Sequence, residues 1–197
     1  MRIFRLILWV LVAVAIIGFG VLLLSRGSTS DVQESITANS FGGPFTLTGA
    51  DGQPFRSSEL AGKPHAIFFG FTHCPDVCPT TLARMVRLRK QLDQGERPFE
   101  ILFVTVDPER DGPEEVGKYA ELFGESVIGL TGSPAQISQV KKQYGIFSQQ
   151  VPDGSGGYSV DHTATVLLFD KKGGFISTIS PEEPDSAALA KLKRISA

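Results

Sequence analysis

The sequence predicts an α/β domain with a mixed β-sheet flanked by helices, preceded by one N-terminal transmembrane helix. Three observations carry that prediction. Short apolar runs alternate with amphipathic stretches in the order strand, helix, strand, helix, strand, helix, then an antiparallel pair and a last helix, which is the order of a mixed sheet with helices on its faces. The 197 residues suffice for one well-buried domain and are too few for two comfortable ones. Leu6 to Leu24, LILWVLVAVAIIGFGVLLL, is an uncharged run of nineteen residues that would span roughly 28 Å as a helix, close to the hydrocarbon thickness of a bilayer.

Residues 1–26 are expected to be a membrane anchor. Arg2 and Arg5 precede the apolar run and only Arg26 follows it closely, so the positive-inside bias places the N-terminus in the cytoplasm and residue 27 onward outside. A cleaved signal peptide would have a shorter apolar core and a small-residue cleavage site. No cysteine near the end of the run could carry a lipid, and no Arg- and Ser-rich transit segment precedes it. The expected location is therefore a bacterial inner membrane, single-pass, with the C-terminal domain in the periplasm. Residues 27–40 are polar and aperiodic, as a flexible tether is. The folded domain is expected over 41–197.

Within that domain, PFTLTGADGQPFRSSEL reads as two short strands around an Asp51-Gly52 turn. HAIFFGF (65–71) is an apolar run expected in a central strand buried on both faces. A helical pattern runs from about Thr80 to Leu92, and FEILFVTV (99–106) is a second buried strand. Asp111 and Glu114 have capping-box spacing ahead of the next helix, with Pro113 early in it. SVIGL (126–130) is a third strand, and SPAQISQVKKQYG a helix closed by Gly145. The stretch VPDGSGGYS reads as a loop leading into two strands, VDHTATVLLFD and FISTIS, joined by a short turn. PDSAALAKLKRIS ends the chain as an amphipathic helix with Leu189, Leu192 and Ile195 on one side.

Outside the anchor, sixteen basic residues face twenty-one acidic ones, a net charge of −5. A mildly acidic domain is a poor partner for nucleic acid or anionic lipid. The one basic run, Arg84, Arg87, Arg89 and Lys90, reads as a solvated helix face, with docking as the lesser alternative.

The chemistry centres on the two cysteines of the chain, Cys74 and Cys78, in GFTHCPDVCPTTL. They fall just after the strand ending at Phe71, at the carboxyl edge of the parallel strands, where ligands of such sheets gather. A bridge closing so short a loop removes little unfolded-state entropy, and a domain of this size does not need one, so a structural staple is the weakest reading. Positions i and i+4 of a helix hold Cβ atoms about 5–6 Å apart, whereas a disulfide wants about 3.8 Å. With Pro75 and Pro79 loosening the first turn, the pair could close to a disulfide or open to hold something between the sulfurs. A helix N-terminus also favours thiolate. No third cysteine exists, which excludes zinc sites built from four cysteines or from three cysteines and a histidine. Two thiolates with one imidazole form a soft, low-coordinate set that suits copper, Cu(I) especially. The histidines are His65, at the start of a strand, His73, beside Cys74, and His162, after the glycine-rich loop.

GFTHCPDVCPTTL, FVTVDPERD, GLTGSP and VDHTATVLLFD, in this order and at these spacings, resemble the Sco/SenC family from about Phe41 to about Ile179. These are membrane-anchored, thioredoxin-like copper proteins needed to assemble cytochrome c oxidase. CxxxC alone is weakly specific; joined to DPERD and a downstream VDH it is specific. The resemblance implies a thioredoxin-like sheet, copper ligands at Cys74, Cys78 and His162, and supporting carboxylates at Asp76, Asp107 and Asp161. The glycine-rich loop is a departure that would leave His162 unplaced, were the loop mobile, until copper or a partner arrived.

The implied function is a copper metallochaperone. It would take copper from a periplasmic donor and deliver it to the binuclear copper centre of a cytochrome c oxidase subunit in the same membrane. The alternative is a thiol–disulfide oxidoreductase that reduces the cysteines of that oxidase site, with Cys74 and Cys78 as its redox pair. Against it, redox pairs are usually spaced CxxC and have no need of His162. A peroxidase of peroxiredoxin type shares the layout but would want a single peroxidatic cysteine with nearby Thr and Arg.

Overall fold

The computed structural model describes Trp9 and residues 41–92, 98–124, 127–154 and 156–197. The chain divides into two units, Met1–Asn39 and Ser40–Ala197. The expected anchor (1–26) and tether (27–40), Trp9 apart, lie outside the described residues. Among the described residues no helix is long and apolar enough to cross a membrane.

The expected apolar runs form the middle of the sheet. β3 (His65–Gly70) is buried at every residue, and it pairs in parallel with β4 (Glu100–Thr105), from His65 opposite Glu100 to Gly70 opposite Thr105. β4 in turn pairs in parallel with β5 (Val127–Thr131). β1 (Thr46–Gly49) and β2 (Pro54–Arg56) add antiparallel strands beyond β5. β8 (Val166–Phe169) and β9 (Phe175–Ile179) add them beyond β3. The seven-stranded order is β2-β1-β5-β4-β3-β8-β9. Phe68, Phe69 and Phe103 are among its largest fully buried side chains, and burying each contributes about 1.5–3 kcal/mol.

Four helices follow, among the described residues: α1 (Val77–Lys90), α2 (Pro113–Glu121), α3 (Pro134–Gln143) and α4 (Asp185–Ser196). α1 begins three residues before the expected Thr80, so Cys78 lies inside it rather than in a loose turn. Pro79 is tolerated there because the first four N–H groups of a helix have no intrahelical partner to lose. α3 starts at a capping box in which Ser133 and Gln136 bond each other's backbone, and Gly145 closes it with a φ of 60°.

Two expectations are corrected. Asp111 does not cap α2, whose N-cap is Gly112; Asp111 turns inward and is fully buried. The basic run is not a free solvated face either. Arg84 reaches across to Asp185 and to the carbonyls of Ser180, Pro181 and Glu183, and Arg87 joins it on Asp185. Arg89 is buried and donates to the Phe99 carbonyl. Arg84 and Arg87 thus fasten α1 to the segment that opens α4.

A third difference bears on function. The stretch expected as a loop is a hairpin of its own, β6 (Ser148–Pro152) with β7 (Tyr158–His162), paired from Ser148 opposite His162 to Pro152 opposite Tyr158. The strand expected over VDHTATVLLFD is two strands in two sheets: β7 belongs to this hairpin and β8 to the main sheet.

Candidate metal centre

The site lies at the carboxyl ends of the parallel strands. There the chain leaves β3 through Phe71 to His73, meets Cys74, and enters α1. Cys78, in the first turn of α1, is wholly buried, and Cys74 is 8% exposed. The amide of Cys78 donates to Cys74 Sγ at 3.4 Å, so a helix N-terminal N–H points at the sulfur, an arrangement that favours thiolate. Gly70 is required beneath them, because a Cβ there would stand 2.7 Å from Cys78 Sγ. Both cysteines are free thiols.

The third member arrives from the hairpin. His162 Nε2 lies 3.4 Å from Cys78 Sγ. Its Nδ1 lies 3.0 Å from the Thr163 carbonyl. A carbonyl can only accept, so Nδ1 carries the proton, and in the neutral ring Nε2 turns its lone pair toward the sulfurs. Phe71 meets the imidazole edge-on at 5.7 Å and Phe68 at 6.1 Å. One donor atom each from Cys74, Cys78 and His162 all lie within 4.8 Å of one another. That is about twice a metal–sulfur bond of about 2.3 Å, so a single ion fits among them.

The two sulfurs share their charge unequally. The hydrogen bond with Cys78 pulls the Cys74 thiol down to about 4; the amides of Asp76 and Cys78 assist, and burial opposes. The same hydrogen bond, with burial added, pushes the Cys78 thiol up. The first proton therefore leaves Cys74, the more exposed sulfur and the one an amide faces. At neutral pH the pair is one thiolate and one thiol.

Behind the cysteines stands a residue the sequence reading placed elsewhere. The buried carboxylate of Asp111 accepts from Thr72 N at 2.9 Å, Thr72 Oγ1 at 2.6 Å and Thr105 Oγ1 at 2.6 Å. Its backbone carbonyl accepts from Thr131 Oγ1 at 2.6 Å. One residue thus ties together the chain ends of β3, β4 and β5. The only sequence signal for it was the second aspartate of DPERD, which capping-box spacing explained away.

Of the carboxylates expected to support the site, Asp107 is buried, 2% exposed. It accepts from Arg110 Nε at 2.5 Å and from Tyr158 Oη at 3.0 Å. Asp76 occupies the N-cap position of α1 without capping it and accepts from Thr80 Oγ1. Asp161 is exposed on β7. Asp76 and Asp161 flank the mouth of the site, a cavity of about 300 Å³ bounded by Pro75 and Val77 on one side and β7 on the other. His73 is not one of the converging donors; its ring bonds Thr72 at the rim. His65 is buried at the opposite end of β3, stacked on Phe169. A larger hollow of about 560 Å³ opens beside it, far from both thiols.

No fourth Cys, His, Asp or Glu joins the three donors among the described residues. A tetrahedral zinc site would lack a ligand, whereas two sulfurs and an imidazole suit a soft ion of low coordination number.

Comparison with known proteins follows the same residues. The SCO1/SenC family model matches residues 33–197. "Protein SCO2, mitochondrial" of Saccharomyces cerevisiae is 33% identical over 174 residues, 87% of this chain and 58% of that protein. The chain spans about half to two thirds of the length of the curated relatives it matches. Among solved structures, copper-bound ScoI of Bradyrhizobium japonicum is similar with a TM-score of 0.71 at 39% identity, covering 79% of this chain and 99% of that one. BsSco, described with a disulfide switch and as a member of the Sco family of cytochrome c oxidase assembly proteins, has a TM-score of 0.62 at 26% identity, covering 81% of this chain and 95% of that one.

Proposed function

Because the chain belongs to the SCO1/SenC family, we propose that it is a copper metallochaperone. Copper is cargo held by Cys74, Cys78 and His162 and delivered to the binuclear copper centre of a cytochrome c oxidase subunit during assembly. One observation carries the reading: an imidazole from a separate hairpin brings its lone pair to within 3.4 Å of a thiol eighty-four residues away. A dithiol reductase has no use for that ring.

The chain's own groups suit loading and release by ligand exchange. Cys74 meets incoming Cu(I) already as thiolate. Cys78 loses its proton as its metal bond forms, and that proton leaves through the mouth beside Cys74. Nε2 of His162 completes the set, its ring oriented by the bond from Nδ1 to the Thr163 carbonyl. On delivery an incoming thiolate displaces one donor at a time: a new Cu–S bond forms as an old bond to this chain breaks, with no change of oxidation state. Asp76 and Asp161 supply negative charge at the mouth through which a cation must pass, and Asp107 supports the site from beneath the hairpin.

The remaining parts of the reading rest on the sequence. The Leu6–Leu24 run would anchor the protein in a bacterial inner membrane with the domain in the periplasm. A tethered domain stays at high local concentration near a membrane-bound oxidase subunit, and a periplasmic donor would supply the copper.

A thiol–disulfide oxidoreductase acting on the oxidase cysteines is the second reading. The depressed Cys74 thiol favours it, as does the disulfide switch described for BsSco. Anaerobic Cu(I) titration of the reduced chain separates the two, repeated with His162→Ala and with each cysteine changed to serine, alongside an oxidase assembly assay. The chaperone reading expects all three changes to weaken copper binding and assembly together. If His162→Ala leaves both untouched while the cysteine variants abolish assembly, the reductase reading replaces it.

A further inference from the structure

We infer that Arg110 is a positioning residue for His162, acting through the β6–β7 hairpin as a latch that sets how readily the third copper donor leaves. Its consequence for copper rests on the chaperone reading; its cause is geometric. Arg110 projects from the turn after β4. Its Nε donates to Asp107 Oδ2 at 2.5 Å and its Nη1 to the Tyr158 carbonyl at 2.9 Å. Its guanidinium lies 3.8 Å from the centre of the Tyr158 ring, and the Tyr158 hydroxyl closes the circuit on Asp107 Oδ1 at 3.0 Å. Both oxygens of a buried carboxylate are thereby committed, and each of the three residues holds the other two.

Strand geometry carries that grip to the imidazole. Side chains alternate along a strand, so Tyr158, Val160 and His162 share one face of β7. Tyr158 is pinned by the latch, and Val160 is 5% exposed. With the first two side chains of that face fixed against the body, the third is aimed at Cys78. A second route runs through Phe71. The guanidinium stands 5.9 Å from its ring, and that ring meets His162 edge-on at 5.7 Å. The cysteines stand mainly on other supports, β3, α1 and Asp111.

Arg110 donates through two different nitrogens to two acceptors while its plane lies on an aromatic face. Lysine cannot reproduce that arrangement.

Two readouts on the full-length chain test the inference. In the metal-free protein with 15N-labelled histidine, only three imidazoles report. His162 is expected to show the Nδ1–H tautomer pattern, which in Arg110→Ala gives way to exchange between tautomers, while the buried His65 signal stays unchanged as a marker of the fold. Cu(I) affinity, measured by competition with a chromophoric chelator, is expected to fall about tenfold to a hundredfold in Arg110→Ala, the range for losing an outer support of a ligand. The fall should shrink to less than about twofold when the same change is made in His162→Ala. Arg110→Lys should not rescue either readout. Should Arg110→Ala disturb His65 as well, Tyr158→Phe, which deletes only one hydroxyl, decides in its place. An unchanged His162 tautomer pattern overturns the inference, and so does an equal affinity loss in both backgrounds. If the native chain proves not to use His162 for copper, the chaperone reading fails, and the tautomer pattern alone decides whether Arg110 positions the ring.

Discussion

The metal centre joins two regions built on different physics. The cysteine platform is apolar and dense: every residue of β3 is buried, Phe68, Phe69 and Phe103 are fully enclosed, and Cys78 has no exposed surface. The hairpin that brings His162 buries only Val160 among its strand residues. It is held to the body by polar contacts: Arg110 and Asp107 with Tyr158, Glu109 with Gln150, and Lys141 with Ser148. Packing fixes position over a broad area, whereas a few hydrogen bonds, each worth about 0.5–1.5 kcal/mol net, can be exchanged one at a time. A site with two donors on the first kind of support and one on the second keeps its cargo by two bonds while the third opens. That division of labour suits a carrier better than a permanent metal centre.

The largest effects should come from breaking the platform's own donors. Cys74→Ser and Cys78→Ser are each expected to lower Cu(I) affinity by about a thousandfold, in keeping with apparent metal free energies of about 10–16 kcal/mol divided among the ligands of a site. Anaerobic chelator competition measures this. A loss comparable to that of His162→Ala would erase the distinction between the two regions.

Next in size is the support behind the platform. Asp111→Ala leaves the Thr72 amide and the Thr72 and Thr105 hydroxyls without their acceptor. An orphaned buried donor costs about 1–3 kcal/mol; relaxation of the cavity makes the sum less than additive, so about 3 kcal/mol of global stability should be lost. Chemical denaturation of the metal-free chain tests this. A change below about 1 kcal/mol would mean the three strand ends are held by packing alone.

The same contrast explains what could be read from the sequence. β3, β4 and β5 announce themselves as apolar runs, because strands buried on both faces carry few polar residues. The Cys74–Cys78 pair stands at their carboxyl edge as a result, and the resemblance to the Sco/SenC family adds His162. The hairpin was opaque because β6 is SQQVP and its turn is rich in glycine, aspartate and serine, a composition shared with irregular loops. β7 and β8 read as one strand because Thr163 to Thr165 contains no glycine or proline to mark the break. Asp111 was misassigned for a different reason: its spacing to Glu114 satisfies a local capping rule, but three donors on two other strand ends outbid the helix for its carboxylate. Arg110 and Tyr158 lie forty-eight residues apart, and nothing local signals that pairing. Leu6 to Leu24 remains a sequence expectation alone.

Removing the loosely held donor should have an intermediate effect. His162→Ala is expected to lower Cu(I) affinity about tenfold to a hundredfold and to remove the nitrogen hyperfine signature from the Cu(II) form. The melting temperature of the metal-free chain should barely change, since the ring is half-buried and its loss leaves only the Thr163 carbonyl and the weakly bonding Cys78 thiol without a partner. A large drop in melting temperature would show the hairpin to be part of the cooperative core, and the contrast between the regions would fail at its root.

The smallest expected effect is a proton count, and it sharpens the contrast within the platform itself. The Cys74 thiol is depressed to about 4 and the Cys78 thiol is raised, so at pH 7 the apo pair carries one proton, on Cys78. Binding Cu(I) through both sulfurs must expel that proton. Calorimetry in buffers of different ionisation enthalpy should therefore count about one proton per copper from the sulfurs at pH 7. That proton alone makes the logarithm of apparent affinity rise with unit slope in pH. The count should approach two only as pH falls below about 4, where Cys74 also becomes protonated. Two protons released at pH 7 would mean that the sulfurs titrate as ordinary thiols and that the Cys78 amide does not hold charge on Cys74. Zero would mean that the pair is fully ionised, and the buried, thiol-bonded setting of Cys78 would then have no effect on its chemistry.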